Sequence, residues 1–282
     1  SYVADGGELK PLTDELMRKY LALEPYDLPG GVTFGVVSSR GCPFNCSFCS
    51  TNYFRQMYKK DYRVRLRSVD HVMDELRRAK ERFPYITGVR FHDDTFVARE
   101  EAELEDFRDR YRREIGLPFA CYAHPSEVTE RKLRILCDAG MAKLGIGIQS
   151  GSARLQDLYH RRVPNNRILA AARLIRQFQP PMQPPWYDMI IDYYNEQEAD
   201  ALESFKLLQE LPRPHSLHVF SMVLWPGTAL YEKARAEGRI SADMNTVYRA
   251  SYNVPAVDFR TLVYKFYEHS DVVPMALTRL LS

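Results

Sequence analysis

Cysteine is scarce in this chain. Five in 282 residues is too few, and an awkward number, for the disulfide framework of a small secreted domain. Long hydrophobic runs are missing as well, and no stretch approaches the ~20 apolar residues that a membrane span needs. The opening residues, SYVADGGELK, are polar and contain no apolar core of the secretion-signal kind. Charge of neither sign is in excess: 39 Lys and Arg face 37 Asp and Glu, a formal net of +2, which does not advertise a nucleic-acid partner. The densest basic run, FRDRYRREIG (Phe107 to Gly116), sits beside acids and fits a solvated helix face. Low-complexity tracts and sequence repeats are absent too. With 45% hydrophobic and 27% charged residues, the expectation is a soluble, cytoplasmic globular protein with an ordinary core.

What is present is a rhythm. The first 30 residues form an N-terminal connector, with ALEPYDLPGG as its Pro- and Gly-bearing end. From Gly31, short β-branched or aromatic runs alternate with segments of helical period. VTFGVVSS (Val32 to Ser39), ITGVRFHDD, PFACYAH, AKLGIGIQS, WYDMIIDYY and HSLHVFSMVLW read as strands. The helix SVDHVMDELRRAKERF has Ser68 as N-cap and Asp70 in its first turn. The next, EEAELEDFRDRYRREIG, is closed by Gly116, and TERKLRILCDAG runs from Thr129 to Gly140. NNRILAAARLIRQF, EQEADALESFKLLQEL and GTALYEKARAEG complete the set.

Six strand-then-helix units demand parallel strands with helical crossovers. Such an α/β unit, residues 31–238, is either an open doubly wound sheet or part of a barrel, and periodicity is compatible with both. After Gly238 the rhythm stops. Residues 239–282 are a C-terminal extension, mainly helical: a loop-rich stretch, the helix DFRTLVYKFYEH, and DVVPMALTRLLS as a helix covering one end of the sheet.

Three of the five cysteines, Cys42, Cys46 and Cys49, lie within eight residues, directly after the first strand. A disulfide pairing does not suit an odd number in a reducing compartment. Structural zinc wants four ligands, and no Cys or His pair stands at the usual spacing downstream. Ferredoxin-type clusters also need four cysteines. Cys121, in a strand, and Cys137, on a helix with Leu133 and Leu136, read as buried core thiols. The remaining use is a cubane cluster held through three of its irons, the fourth left open to substrate. A loop after a strand is where α/β sheets present ligand sites. Gly41 and Pro43 help bend it.

CPFNCSFC, following that first strand, resembles the CxxxCxxC signature of the radical SAM superfamily, down to the aromatic Phe48 before the third cysteine. The resemblance runs from about Gly31 to Gly238. It implies a partial (β/α)6 TIM-like barrel with a [4Fe-4S] cluster on Cys42, Cys46 and Cys49 at the carboxyl ends of the strands. It also implies S-adenosylmethionine chelating the open iron, reductive cleavage to a 5′-deoxyadenosyl radical, and hydrogen abstraction in a dry lumen. An electron donor such as flavodoxin or ferredoxin is implied as partner. By the same resemblance Phe48 lies near the adenine, Gln149 or Ser150 near the ribose, and Arg161 or Arg162 near the S-adenosylmethionine carboxylate. The Gly-Gly-Glu motif of many members is absent. RFHDD stands in its place, with Asp93 or Asp94 to accept from the amino group, or else to cap the following helix. His124, ending the third strand, is a candidate proton carrier or a satisfied structural histidine.

YDMIIDYYNEQEAD and VLWPGTALYEKARAEG are similar to the fifth and sixth strands of the cobalamin-dependent radical SAM proteins. Those proteins carry a cobalamin-binding domain before the barrel, whereas these 282 residues contain no DxHxxG-like loop. Either that domain was removed, or it lies on another chain, or this protein works without cobalamin. The leading expectation is a radical SAM enzyme acting on a small metabolite or natural-product scaffold, with cobalamin-assisted methyl transfer as one form. A cobalamin-free isomerase, cyclase or dehydrogenase is the alternative within the class. A methylthiolating tRNA enzyme lacks support without a basic RNA-binding module. From another class, an iron–sulfur electron carrier needs the same cysteines and no S-adenosylmethionine.

Overall fold

The computed structural model describes residues 2–5, 7–11, 13–21, 28, 31–193, 195–240, 258–269, 276 and 280. Within the stretch expected to be a connector, β1 (Tyr2–Asp5) and β2 (Glu8–Pro11) form an antiparallel hairpin, and α1 (Asp14–Leu21) follows. The turn uses Gly7 at φ 83°, a left-handed conformation that glycine adopts without strain. The Thr13 hydroxyl caps α1 by accepting from Leu16 N.

The strand–helix alternation is then realised. β3 (Val32–Val36) leads to a two-stranded antiparallel ribbon, β4 (Ser39–Arg40) with β5 (Arg65–Leu66), and α2 (Ser50–Tyr58) lies between the ribbon strands. There follow α3 (Val69–Arg82), β6 (Ile86–Phe91), α4 (Glu101–Glu114), β7 (Phe119–Ala123) and α5 (Glu130–Ala139). β8 (Met141–Gln149), α6 (Ala153–Leu158), α7 (Asn165–Arg176), β9 (Trp186–Ile191) and α8 (Glu198–Glu210) come next. β10 (Ser216–Ser221), α9 (Ala229–Ala236) and α10 (Phe259–Glu268) complete the described elements. The loop-rich stretch after Ile240, and nearly all of the final expected helix, lie outside the described residues.

Two departures from the sequence expectation have local causes. β3 stops at Val36, not Ser39, because the Ser38 and Ser39 N–H groups donate to the Asp93 carboxylate at 2.6 and 3.0 Å. α2 carries no aliphatic stripe, so periodicity did not reveal it. Elsewhere the caps are those expected: Ser68 Oγ accepts from His71 N, Thr129 Oγ1 accepts from Lys132 N, and Gly140 ends α5 at φ 111°.

Six strands form one parallel sheet in the order β3-β6-β7-β8-β9-β10. The order never reverses. Right-handed crossovers that always step the same way place every helix on one face and curl the sheet around the other. This excludes the doubly wound alternative and gives a half-barrel.

The outward face packs into one large core. Val89, Phe91, Phe119, Leu144, Ile146 and Met189 meet the helices there, and buried Cys121 belongs to it, with Cys137 packed against it. An aromatic cluster anchors this face, Phe119 lying edge-on to Phe91 at 5.5 Å and to Tyr111 at 5.1 Å. The inward face is built differently. Its floor is Trp186, packed with Leu28 and Ala120 and flanked by the Arg90 guanidinium, 5.0 Å from its ring. Gly145 admits that indole: a Cβ there would lie 2.2 Å from the Trp186 ring. Above the floor, Gly147, Asp188 and His218 stand level across β8, β9 and β10.

Candidate active site

The cysteine loop is held from both sides. Tyr62 Oη accepts from Cys42 N and donates to Cys42 O, each at 2.9 Å. Arg55 donates to the carbonyls of Cys42 and Pro43, its guanidinium 4.2 Å from the Tyr62 ring. Gly41 turns the chain at φ 94°, where a Cβ would meet Tyr62 Oη at 3.1 Å. On the far side Ser47 N donates to Tyr159 O, and Leu230 N to Ser47 O, both at 2.9 Å. The loop is therefore sewn to the end of α6 and the start of α9. Cys49 is the residue from which α2 starts.

All three cysteines are free thiols lining one cavity of about 320 Å³ at the carboxyl ends of the strands. Burial pushes the Cys42 thiol up to about 12. Burial also raises Cys46, against the pull of the Arg161 charge. Thiols held this way ionise only when a cation compensates them. Arg161 Nη1 stands 3.7 Å from Cys46 Sγ, and its Nη2 donates to Gly147 O. Arg162 points elsewhere, exposed and paired with Asp157 at 2.8 Å. Of the two expected arginines, the cavity receives Arg161.

The adjacent aspartates also differ. Asp93 is fully engaged, accepting from Ser38 N, Ser38 Oγ and Ser39 N, with Arg99 at 3.7 Å. It ties β3 to β6 and, although it lines the cavity beside Asp94, both of its oxygens already accept from the Ser38–Ser39 segment. Asp94 lines the cavity. Partial burial and the neighbouring Asp93 charge push its carboxyl up, while a hydrogen bond from Gly41 opposes the shift.

Gln149 ends β8 at φ 72° and faces the cavity. A side chain other than glycine held there costs on the order of 1–3 kcal/mol. Gly147 makes room for it: a Cβ would fall 2.5 Å from the Gln149 amide and 3.3 Å from Arg161 Nη2. Ser150 turns away, its hydroxyl accepting from Ser152 N and lying 3.4 Å from Ser204 Oγ under α8. Phe48 does two things at once, lining the cavity and packing edge-on against Tyr159 at 5.3 Å.

His124 is buried, its ring stacked on Phe44 at 3.5 Å. Nδ1 accepts from Ser126 N at 3.2 Å, which puts the ring proton on Nε2. Burial, with Arg161 and Arg167 nearby, lowers its pKa to about 2. The ring is therefore neutral at ordinary pH and presents Nε2–H, which is buried without a partner among the described residues. This geometry suits a hydrogen-bond donor at Nε2.

Sequence reasoning did not single out Asp188 and His218, 3.3 Å apart on the lumen side of β9 and β10. Period 2 from Trp186 could have placed Asp188 inward. Both Asp188 and Phe220 line an adjoining cavity of about 340 Å³, with Phe48, Gln149, Met222 and Trp225.

Among the described residues no three His, Cys, Asp or Glu side chains gather closely enough for a single metal ion. Three thiols share one cavity, Cys121 is buried in the opposite core, and Cys137 packs against that core. That donor set, with orphaned polar atoms at His124 Nε2 and Arg161 Nε, fits a cluster held through three irons and an additional polar ligand beside it.

The described residues thus form a parallel half-barrel with a three-thiol loop at the carboxyl ends of its strands. The chain belongs to the radical SAM superfamily, whose family model matches residues 36–227. It is 27% identical over 208 residues to an uncharacterized methyltransferase of Pyrococcus horikoshii, covering 73% of this chain and 43% of that protein. Over 146 residues it is 27% identical to the cytidylyl-2-hydroxyethylphosphonate methyltransferase of Streptomyces wedmorensis, covering 49% and 26%. Its fold is similar to that of the cobalamin-dependent S-adenosylmethionine radical enzyme OxsB, solved with aqua-cobalamin and S-adenosylmethionine bound: TM-score 0.62, 16% identity, 84% of this chain and 41% of that one. The chain thus spans less than half the length of each of these three relatives. No helix among the described residues is long and apolar enough to cross a membrane.

Proposed function

We propose that this chain is the catalytic barrel of a radical SAM enzyme that acts on a small molecule, with a [4Fe-4S] cluster on Cys42, Cys46 and Cys49. The observation that carries the reading is the convergence of these thiols with Arg161, Asp94 and Gln149 on one recessed cavity. When bound, the cluster and S-adenosylmethionine together supply a 5′-deoxyadenosyl radical. The protein's own residues bind, orient and exclude water. Asp94 offers a carboxylate for an ammonium group, and Arg161 a guanidinium for a carboxylate. Gln149 provides an amide for a hydroxyl, and Phe48 an apolar ring face. His124 Nε2–H donates to an acceptor within the cavity. The Trp186 floor closes the lumen from below, keeping a reactive carbon centre away from bulk water.

Methyl transfer assisted by cobalamin is the form we favour, because both curated relatives are methyltransferases. The chain covers less than half of each, which leaves room in such proteins for a cobalamin-binding domain. The cobalamin-free reactions named above are the alternative, and electrons come from a small flavin or iron–sulfur donor. Anaerobic reconstitution with iron and sulfide, followed by dithionite and S-adenosylmethionine, is the test. Release of 5′-deoxyadenosine is the expected result, and Cys46→Ala should abolish it together with the cluster absorbance. A cluster whose spectrum ignores S-adenosylmethionine would make the chain an electron carrier.

A further inference from the structure

A second recess, about 690 Å³ in volume, adjoins the cysteine cavity and shares Thr51, His92 and Asp94 with it. One wall is the β4–β5 ribbon. There Arg40 stands directly opposite Arg65, and Arg63 lines the same space. Opposed residues of an antiparallel pair project from the same face with Cβ atoms about 5 Å apart, and like charges so placed repel. Yet none of the three exposed guanidiniums makes an ion pair or a side-chain hydrogen bond with a described residue. The lining acids Asp61 and Asp94 do not pair with them. Neighbouring arginines behave otherwise: Arg67 binds Glu75 at 2.6 Å and Arg55 binds the Cys42 carbonyl. Arginines with a structural task here have found their partners. Across the recess, Phe54 and Tyr58, one turn apart on α2, remain 48% and 54% exposed.

Cations unpaired among the described residues, set together opposite two half-exposed rings, make a site for an oxyanion attached to a planar group. We propose that this recess binds the phosphate or phosphonate ester of a small ring-bearing molecule, of nucleotide type. Arg40, Arg63 and Arg65 hold the oxyanion, bidentate where geometry allows, and Phe54 and Tyr58 stack on the ring. This names a substrate class for the proposed enzyme and rests on that reading, the shared wall at His92 and Asp94 letting a molecule anchored here extend to the cysteine cavity. A small ligand suits the recess better than an RNA strand, since the chain's net charge is only +2.

Anaerobic calorimetry on the iron-loaded chain tests it, with uridine, uridine diphosphate, pyrophosphate and an oligouridylate as probes. Uracil is chosen so that the probe does not mimic the adenosyl group. Uridine diphosphate should bind at least about tenfold tighter than uridine, and the gap should shrink as salt is raised. Arg40→Gln and Arg65→Gln should each erase most of that gap. Without nucleotide, Arg65→Gln should melt no lower than the parent, because a repulsion has been relieved. Equal affinity for uridine and uridine diphosphate, or a marked loss of stability in that variant, overturns the proposal. Preference for oligouridylate would assign the face to RNA and likewise overturn it. Release of 5′-deoxyadenosine, followed in parallel without nucleotide, separates the two readings. Its absence with phosphate-dependent binding intact sinks the enzyme but leaves the oxyanion site, and the reverse pattern sinks the site alone.

Discussion

The two faces of the β6–β9 sheet use the same backbone for opposite purposes. The outward face carries Val, Ile, Leu and Phe packed against helices, and its thiol, Cys121, has no chemistry to perform. The inward face alternates glycine with Arg90, Gln149, Asp188 and Trp186, leaving polar groups and space where the other leaves neither. Side chains two residues apart share a face, so one strand such as WYDMII supplies both. Stability is concentrated outside and chemistry inside.

The sharpest way to break this division is to exchange its thiols. Cys46→Ala should lose the cluster altogether, read as iron content and visible absorbance after reconstitution. Cys121→Ala should retain it and lose only stability. Loss of iron in both would mean the faces are not separate. Next in size is the outward core: Leu133→Ala, at a fully buried position, should cost roughly 2–5 kcal/mol in denaturant unfolding while leaving iron binding unchanged. On the inward side Gly145→Ala forces a methyl group into the Trp186 ring. We expect a smaller loss of roughly 1–3 kcal/mol, with reduced capacity to bind S-adenosylmethionine as the lumen floor shifts.

The mildest effect concerns pH. Glu196, in the loop after β9, is pushed by burial from 4.5 to about 7, with Arg260 opposing. The folded state then holds a proton that the unfolded chain releases, so stability declines as pH rises from about 4.5 to 7 and levels off above. Glu196→Gln should flatten that slope by roughly 1–2 kcal/mol over the window. An unchanged slope in the variant would assign the titration elsewhere.

The legibility of the chain follows the same physics. Period 3.6 and period 2 marked the six strands and their crossover helices, and Ser68, Thr129, Gly116 and Gly140 marked several ends, because capping is local. α2 escaped because its face toward the protein is polar. The half-barrel was not in the periodicity, since strand order is a long-range property. Asp93 and Asp94 could not be ranked from sequence, although both line the cavity and only Asp93 is taken up by Ser38 and Ser39. Their roles depend on contacts after the end of β6, where Ser38, 55 residues away in the chain, engages Asp93. Arg161 and Arg162 were indistinguishable for a related reason: they follow a turn in which His160 and Arg162 have positive φ, so no period assigns their direction.

By itself, then, the chain's sequence determined which residues would be strand or helix, and that three thiols would gather on one loop after the first strand, because both are written in short-range spacing. Tertiary structure alone decided that Asp93 would be taken up by Ser38 and Ser39, that Arg161 and not Arg162 meets the cavity, and that Arg40 would face Arg65. Those outcomes depend on contacts between segments far apart in the chain, whose direction no local pattern encodes.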